Sequence, residues 1–354
     1  MKKWVKILLI VLLAVVLLAA VYVVYVFISY HRIGDQPLTP VQTPDTAPSL
    51  SAGEAYTLVS WNIGFGAYEE DYGFFMDGGT ESRAWSKERL TANMDAIAGY
   101  LKQQDADFYL LQEVDTDATR SYHVDEREPL YAALFDKSSV FCQNYDSPYL
   151  LYPLTKPHGA SQSGLLTFAP VNIAAANRVE LPVEGGFMLD LDRCYSVSRI
   201  PAEGGKELVL YDLHLSAYTS DGTIATEQLK LLLADMQAEY EAGNWCVAGG
   251  DFNKDLLGDS SAYFGAADQE YSWAQPIPEG VFDGYDVQLI APLDESDPVP
   301  SCRNADSAYH AGQYVLTVDG FMVTPNVTVS DSAVLDTGFA YSDHNPVKMT
   351  FTLN

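Results

Sequence analysis

Polar side chains stand at the tips of apolar runs in this chain, where packing alone gives them no reason to be. Asn62 closes TLVSWN, Glu113 follows FYLLQ, His214 closes ELVLYDLH, Asp251 and Asn253 follow WCVAGG, Asp319 interrupts VLTVDGFMV, and Asp343-His344 precedes the last apolar stretch. Carboxylates and amides converging from strand ends are the donor set of a hard divalent cation, Mg²⁺ first, with Mn²⁺ or Ca²⁺ as alternatives, because such ions take oxygen ligands and often keep water. The two histidines add groups that exchange protons or hydrogen-bond a phosphoryl oxygen near neutral pH. Each residue alone has an ordinary explanation as a turn former, a solvated loop charge or a satisfied core histidine. The repetition of strand followed by polar tip is what points to a site.

The elements that must hold these tips are legible from periodicity. Short β-rich runs fall at 57–62, 108–112, 165–168, 207–214, 245–248, 315–323 and 347–353. Helical spacing places Leu90, Met94, Ile97 and Leu101 on one face of 86–104, and Leu229, Leu232, Leu233, Met236 and Tyr240 on one face of 226–242, with Gly243 as its stop. Strands and helices alternate and several strands are almost wholly apolar, which predicts α/β layers with sheets covered on both sides. No internal repeat or second linker divides residues 56–354, so one domain is expected.

SWN at 60–62, LLQEVD at 110–115, DLHL at 212–215, GGDFN at 249–253, VDGFMV at 318–323 and SDHNPV at 342–347 together resemble the endonuclease/exonuclease/phosphatase superfamily, which includes DNase I, neutral sphingomyelinases and inositol polyphosphate 5-phosphatases. The resemblance covers essentially all of 56–354 and implies a four-layer α/β sandwich, DNase I-like, with its site at one edge of two central sheets. It implies Glu113 as the principal metal ligand with Asn62 and Asp343 beside it, and Asp251 as the group that aligns or deprotonates water. Asn253 would hold a phosphate oxygen, Asp319 would orient His344, and His214 would stabilise the phosphorane or assist the leaving oxygen. Arg193 is a candidate phosphate clamp with Arg199 as its rival, since a guanidinium presents paired donors to phosphoryl oxygens. Arg303 falls where relatives carry a substrate-side segment. The stretch 63–85, rich in aromatics, departs from the familiar pattern. It reads either as a core-packing insert or as a substrate wall in which Tyr68, Phe74, Phe75 and Met76 offer apolar surface and Asp77 joins the metal side.

The formal charge is −28, and removing the four cationic residues of the first 34 leaves −32 on residues 35–354, a balance that keeps an exported protein soluble and counts against a dedicated nucleic-acid binder. Cys142, Cys194, Cys246 and Cys302 lie too far apart for a thiolate zinc site. Residues 7–30 carry no charge, and as a helix would rise about 36 Å, enough to cross a hydrocarbon core of about 30 Å. A cleaved signal is the alternative, but its apolar region is usually only about 7–15 residues long. Lys2, Lys3 and Lys6 before the span favour a cytoplasmic 1–6 segment and an extracellular body. Residues 31–55, with prolines at 37, 40, 44 and 48, read as an extended spacer that holds the domain off the membrane without fixing its orientation. The expected function is a membrane-anchored, metal-dependent hydrolase of a lipid or small phosphoester, with the bilayer as its contact and no protein partner called for. An extracellular endonuclease and an inactive binding domain on the same scaffold are the alternatives.

Overall fold

Leu58 and Ser60 face one way and Val59 and Trp61 the other along the first long strand, and all four are buried. That is the signature of a sheet covered on both faces, and it recurs in the strand ending at His214, where Leu208 and Leu210 pack inward and Val209 and Tyr211 outward. The computed structural model describes residues 2–30, 32–43, 49–184, 192–217, 222–265 and 273–354. Among them the strands are β1 (Gln36–Leu38), β2 (Ala55–Asn62), β3 (Phe108–Ala118), β4 (Ser138–Asp146), β5 (Ser161–Ala169), β6 (Ala175–Glu180), β7 (Cys194–Pro201), β8 (Glu207–His214), β9 (Trp245–Asp251), β10 (Gln288–Ile290), β11 (Cys302–Arg303), β12 (Val315–Leu316), β13 (Asp319–Val323), β14 (Val327–Val334) and β15 (Val347–Leu353). The helices are α1 (Lys3–Ser29), α2 (Lys87–Gln104), α3 (Arg127–Ala133), α4 (Thr223–Glu241) and α5 (Ser260–Phe264).

One sheet runs β14-β15-β2-β3-β5-β4 and the other β1-β6-β7-β8-β9-β13-β10, with β11 and β12 as a separate ribbon. Leu58, Leu110, Leu210, Val247, Phe321 and Met349 form the core between them. Ile97 and Leu101 of α2 cover the outer face of the first sheet, and Leu229, Leu232 and Met236 of α4 that of the second, completing four layers. Burying each such leucine contributes about 1.5–3 kcal/mol. Helix α2 starts where Ser86 accepts from the Arg89 amide and ends at Asp105 in left-handed backbone.

Two expectations need correction. The run 315–323 is not one strand: β12 belongs to the ribbon and β13 to the large sheet, because Thr317 and Val318 turn between them to meet the Ser260 and Ser301 hydroxyls. Nor is the Pro-rich segment a free spacer. β1 pairs antiparallel with β6, Val41 bridges to Ser139, and Arg32 pairs with Glu180 at 3.0 Å and with Asp192 at 3.2 Å. Buried Arg178 adds a hydrogen bond to the Gly34 carbonyl at 3.2 Å. Proline limits donors but not acceptors, and β1 lies at a sheet edge, where a proline is tolerated. Pro44 and Pro48 lie outside the described residues.

Candidate active site

Strand register gathers the polar tips at one edge of the sandwich. β2 and β3 run parallel with Asn62 beside Gln112, β8 and β9 run parallel with His214 beside Asp251, and β13 returns antiparallel with Asp319 opposite Asp251. Glu113 does not end its strand, as the apolar run implied; β3 continues to Ala118. The register shifts between Leu111 and Val114, and Glu113 takes a φ of 55°, so a local irregularity aims the carboxylate into the site. Gly250 permits the close pairing of β8 and β9, since a Cβ there would lie 2.0 Å from the Leu213 carbonyl oxygen. Gly64, at φ 54°, lets the chain turn against the site, where a Cβ would come 3.1 Å from an Asp343 oxygen.

Asp251 is the hub. Its Oδ2 accepts from Asn62 Nδ2 at 3.0 Å and lies 3.5 Å from His214 Nε2, while its Oδ1 accepts from the Asn253 amide at 2.8 Å. Burial, with Asp319 adding and His344, Asn253 and Asn62 opposing, pushes its pKa up to about 6. Asn253 is itself held by donation to the Leu215 carbonyl at 2.8 Å. His344 donates from Nδ1 to Asp319 at 2.8 Å, and the same Asp319 oxygen accepts from Ser301 at 2.7 Å. Burial opposes the imidazolium, but Asp319 and Cys302 outweigh it and hold the His344 pKa well above its ordinary value. His214 is the opposite case: burial, then Arg193, His344 and Arg120, hold its pKa well below normal, so it is neutral. Its Nδ1 faces Arg193 Nη1 at 3.4 Å, which fixes the proton on Nε2, toward Asp251.

Glu113 and Asp343 stand on the other side of Asn62, which donates to Glu113 at 3.3 Å. Burial first, and then the charges of Glu113 and Asp77, push the Asp343 pKa up to about 7 against His344 and Arg303. A buried carboxyl held up near neutrality, as Asp343 is, sits in a donor set short of positive charge. The oxygen chemistry of Glu113 and Asp343 fits a hard divalent cation, whereas Asn62 is corrected: its Nδ2 faces Glu113 and Asp251 and its Oδ1 accepts from the Gly64 backbone amide at 3.0 Å, so it orients these carboxylates rather than offering an oxygen ligand. A second grouping, Asp251, Asp319 and His344, has ligand atoms within 4.8 Å of one another, and Asp319 Oδ1 is buried with no hydrogen-bond partner.

The two arginine candidates for phosphate separate cleanly. Arg193 is buried beside His214 with its Nε unpartnered, as a phosphate clamp requires, whereas Arg199 is committed to Glu207 at 2.7 Å and to Glu239. Arg303 is corrected. Its two terminal nitrogens donate to the carbonyls of Ser307, Tyr68, Glu69 and Tyr72, so it staples the 63–85 segment and cannot present a paired fork, although it lines the cavity with its Nε unpartnered. That segment packs into the core and also lines the cavity. Phe65 and Tyr72 are core residues, while Tyr68, Phe74, Phe75, Met76 and Asp77 line the cavity that opens over the catalytic groups. Sequence reasoning missed Arg120, buried on the same wall, which grips Asp115 with two bonds of 3.0 and 2.8 Å, lies over the Phe65 ring at 4.0 Å and reaches Glu113 at 3.8 Å. Asp115 in LLQEVD was the signal, since a buried acid calls for a cation.

An acid-and-histidine centre at the edge of a two-sheet α/β sandwich defines a phosphoester hydrolase of the DNase I-like fold. The chain belongs to the Endonuclease/Exonuclease/phosphatase family, whose model matches residues 59–344. Among solved structures it is similar to an endonuclease/exonuclease/phosphatase from Beutenbergia cavernae, at 18% identity over 85% of this chain and 72% of that one, with a TM-score of 0.56. It is also similar to ANGEL2, a 2′,3′-cyclic phosphatase, at 16% identity over 89% and 98% with a TM-score of 0.56. TDP2 from D. rerio, complexed with a single-strand DNA product, follows at 15% identity over 84% and 99% with a TM-score of 0.52. At these identities the likeness is one of fold. No curated sequence matches the chain.

Proposed function

We propose that this protein is a divalent-metal-dependent phosphodiesterase or phosphatase, tethered by α1 with a cytoplasmic N-terminus and an extracellular body, that acts on a lipid or small phosphoester. The observation that carries the reading is the cavity of about 670 Å³ into which the catalytic groups open between aromatic walls. A cup of that size suits a phosphoryl group with its substituent. A duplex asks instead for a long basic groove, and the body carries −32 once the four cationic residues of the first 34 are set aside.

The division of labour follows from the geometry. Asp251, ionised above a pKa of about 6 and held at both oxygens, accepts the proton of the attacking water. Neutral His214 and cationic His344 flank it at 3.5 and 3.8 Å and donate to the oxygens that gain charge at phosphorus. Arg193 binds the phosphoryl group, and Asn253 fixes the Asp251 carboxylate through its backbone N–H, its side-chain amide being given to the Leu215 carbonyl. Glu113, oriented by Asn62, and Asp343 would hold a divalent cation, which would supply positive charge to the phosphoryl oxygens.

The test offers the full-length protein, with Mg²⁺, four substrates: bis(p-nitrophenyl) phosphate, p-nitrophenyl phosphate, phospholipid and plasmid DNA. Turnover of the first three classes without DNA supports the reading. Turnover of DNA alone replaces it with a nuclease, and no turnover at all leaves a binding domain.

A further inference from the structure

Helix α1 forms part of the wall of the catalytic cavity. Tyr22, Val23, Val26 and Tyr30 line the same space as Glu113 and His344, and Val26 is only 5% exposed. The contact is made through the turn that follows β4. Tyr22 donates from its hydroxyl to the Tyr149 carbonyl at 3.2 Å and accepts from the Leu151 amide at 3.0 Å, and the Tyr25 hydroxyl accepts from the Tyr149 amide at 3.1 Å. Tyr22 and Tyr25 precede the last residue of α1, Ser29, by seven and four positions. At about 1.5 Å per residue they sit roughly 6–10 Å below the end of the helix. A membrane whose apolar core covers the charge-free residues 7–30 therefore reaches the 149–154 turn.

That turn is built to be there. Tyr152 is 69% exposed and Leu154 82%, although both are large and apolar, and across the mouth of the cavity Met76 is 55% exposed. Apart from the span itself, Leu154, Phe135, Tyr152 and Val41 are the most exposed large apolar side chains on the described surface, and two of these four, Tyr152 and Leu154, follow directly on the residues that bond α1. Tyrosines at this depth suit a membrane interface, where the ring lies in apolar surroundings and the hydroxyl finds a polar partner. Linker residues 32–43 also lie along the body, so the domain cannot swing freely away from the helix.

We propose that the 149–154 turn is a second membrane contact and that the cavity receives its substrate sideways from the bilayer, as a phospholipid whose acyl chains stay beside α1 while its headgroup phosphate meets His344 and Arg193. This rests on the hydrolase reading above and narrows its substrate to a membrane lipid. The reaction consumes one water and breaks one P–O ester bond, and the departing alcohol leaves with a proton. A second copy of the chain or a partner protein on the same patch would not need the catalytic cavity to run into the span.

The experiment reconstitutes the full-length protein in vesicles of phosphatidylcholine and phosphatidylglycerol. Leu154→Asp places a charge where lipid is expected, so lipid hydrolysis should fall about tenfold while hydrolysis of soluble bis(p-nitrophenyl) phosphate stays within about twofold of wild type. In parallel, an environment-sensitive fluorophore on Leu154→Cys should emit as in an apolar medium and be quenched by lipids spin-labelled near the headgroup. A water-like, unquenched probe would overturn the membrane contact. Lipid hydrolysis unaffected by Leu154→Asp would likewise overturn the membrane contact, and soluble-substrate turnover without lipid turnover would overturn the lipid substrate. Absence of hydrolysis of either substrate by the wild type would instead sink the underlying hydrolase reading.

Discussion

Asn62 and Asp251 join the two sheets at the catalytic edge: the Asn62 amide at the end of β2 donates 3.0 Å to the Asp251 carboxylate at the end of β9. The bond crosses from one sheet to the other, so it sets how far apart the metal side and the base side of the site stand. It also lowers the Asp251 pKa, against burial.

Removing that bond should therefore show in a pH profile. Activity that needs the Asp251 carboxylate is present above a pKa of about 6 and falls as pH drops through it. Asn62→Ala takes away a hydrogen bond that favours the charged form, so the acid limb should move upward, with kcat/KM down by about 10–100-fold at pH 7. An acid limb that stays in place or moves downward would contradict the role given to Asp251. Asp251→Ala should abolish hydrolysis while the circular dichroism spectrum stays native.

The Asp319–His344 couple makes a second prediction. Asp319 both orients the imidazole and keeps it charged, through a 2.8 Å bond that its carboxylate accepts. Asp319→Asn retains the shape but loses the charge partner. The His344 pKa should drop toward or below its ordinary value and kcat should fall by about 10²–10⁴-fold, the range for a displaced general acid–base group. NMR titration of the His344 ring in the two proteins measures the shift directly.

Much of this arrangement was legible in the sequence because the site residues sit at strand ends, where an apolar run stops on a charge. β8 and β15 occupy the spans that the apolar runs marked, and the buried faces of α2 and α4 follow the leucine spacing. What was not legible depends on tertiary pairing. β4, β6 and β14 are edge or near-edge strands with polar outward positions, and their runs carry little apolar contrast. Arg303 looked like a paired phosphate fork because sequence cannot show that four carbonyls already claim its two terminal nitrogens. The linker looked detached because its docking depends on Arg178 and Asp192, well over a hundred residues away in the chain.

Metal binding should be strongly pH-dependent. Asp343 is pushed up to about 7, so protons compete with the cation across that pH. Affinity should be fully developed well above pH 7 and weaken as pH falls through 7, with a proton released on binding near that pH. Calorimetric titration of chelator-stripped protein with Mg²⁺ and Mn²⁺ at pH 8 and pH 5.5 tests this. Chelation should abolish turnover reversibly, and Asp343→Asn should weaken binding while flattening its pH dependence.

Asp212 carries a prediction about stability rather than chemistry. It lies between the sheets, accepting from Gln112 at 2.8 Å and from Thr167 at 3.1 Å, and burial, opposed by those bonds, pushes its pKa up to about 8. The unfolded chain ionises this acid near its ordinary pKa, while the folded chain holds the proton until pH 8. Its contribution therefore becomes increasingly unfavourable as pH rises from the ordinary carboxylate range to about 8, and levels off above that. Asp212→Asn removes the titration, and the Gln112 Oε1, buried without a partner, can accept from the new amide. The variant should gain roughly 2–4 °C in Tm at pH 8.5, on the order of 1 kcal/mol, and nothing at pH 4. Thermal melts at the two pH values decide it, because loss of stability at pH 8.5 would mean that the charged carboxylate, and not a neutral acid, holds the sheets together.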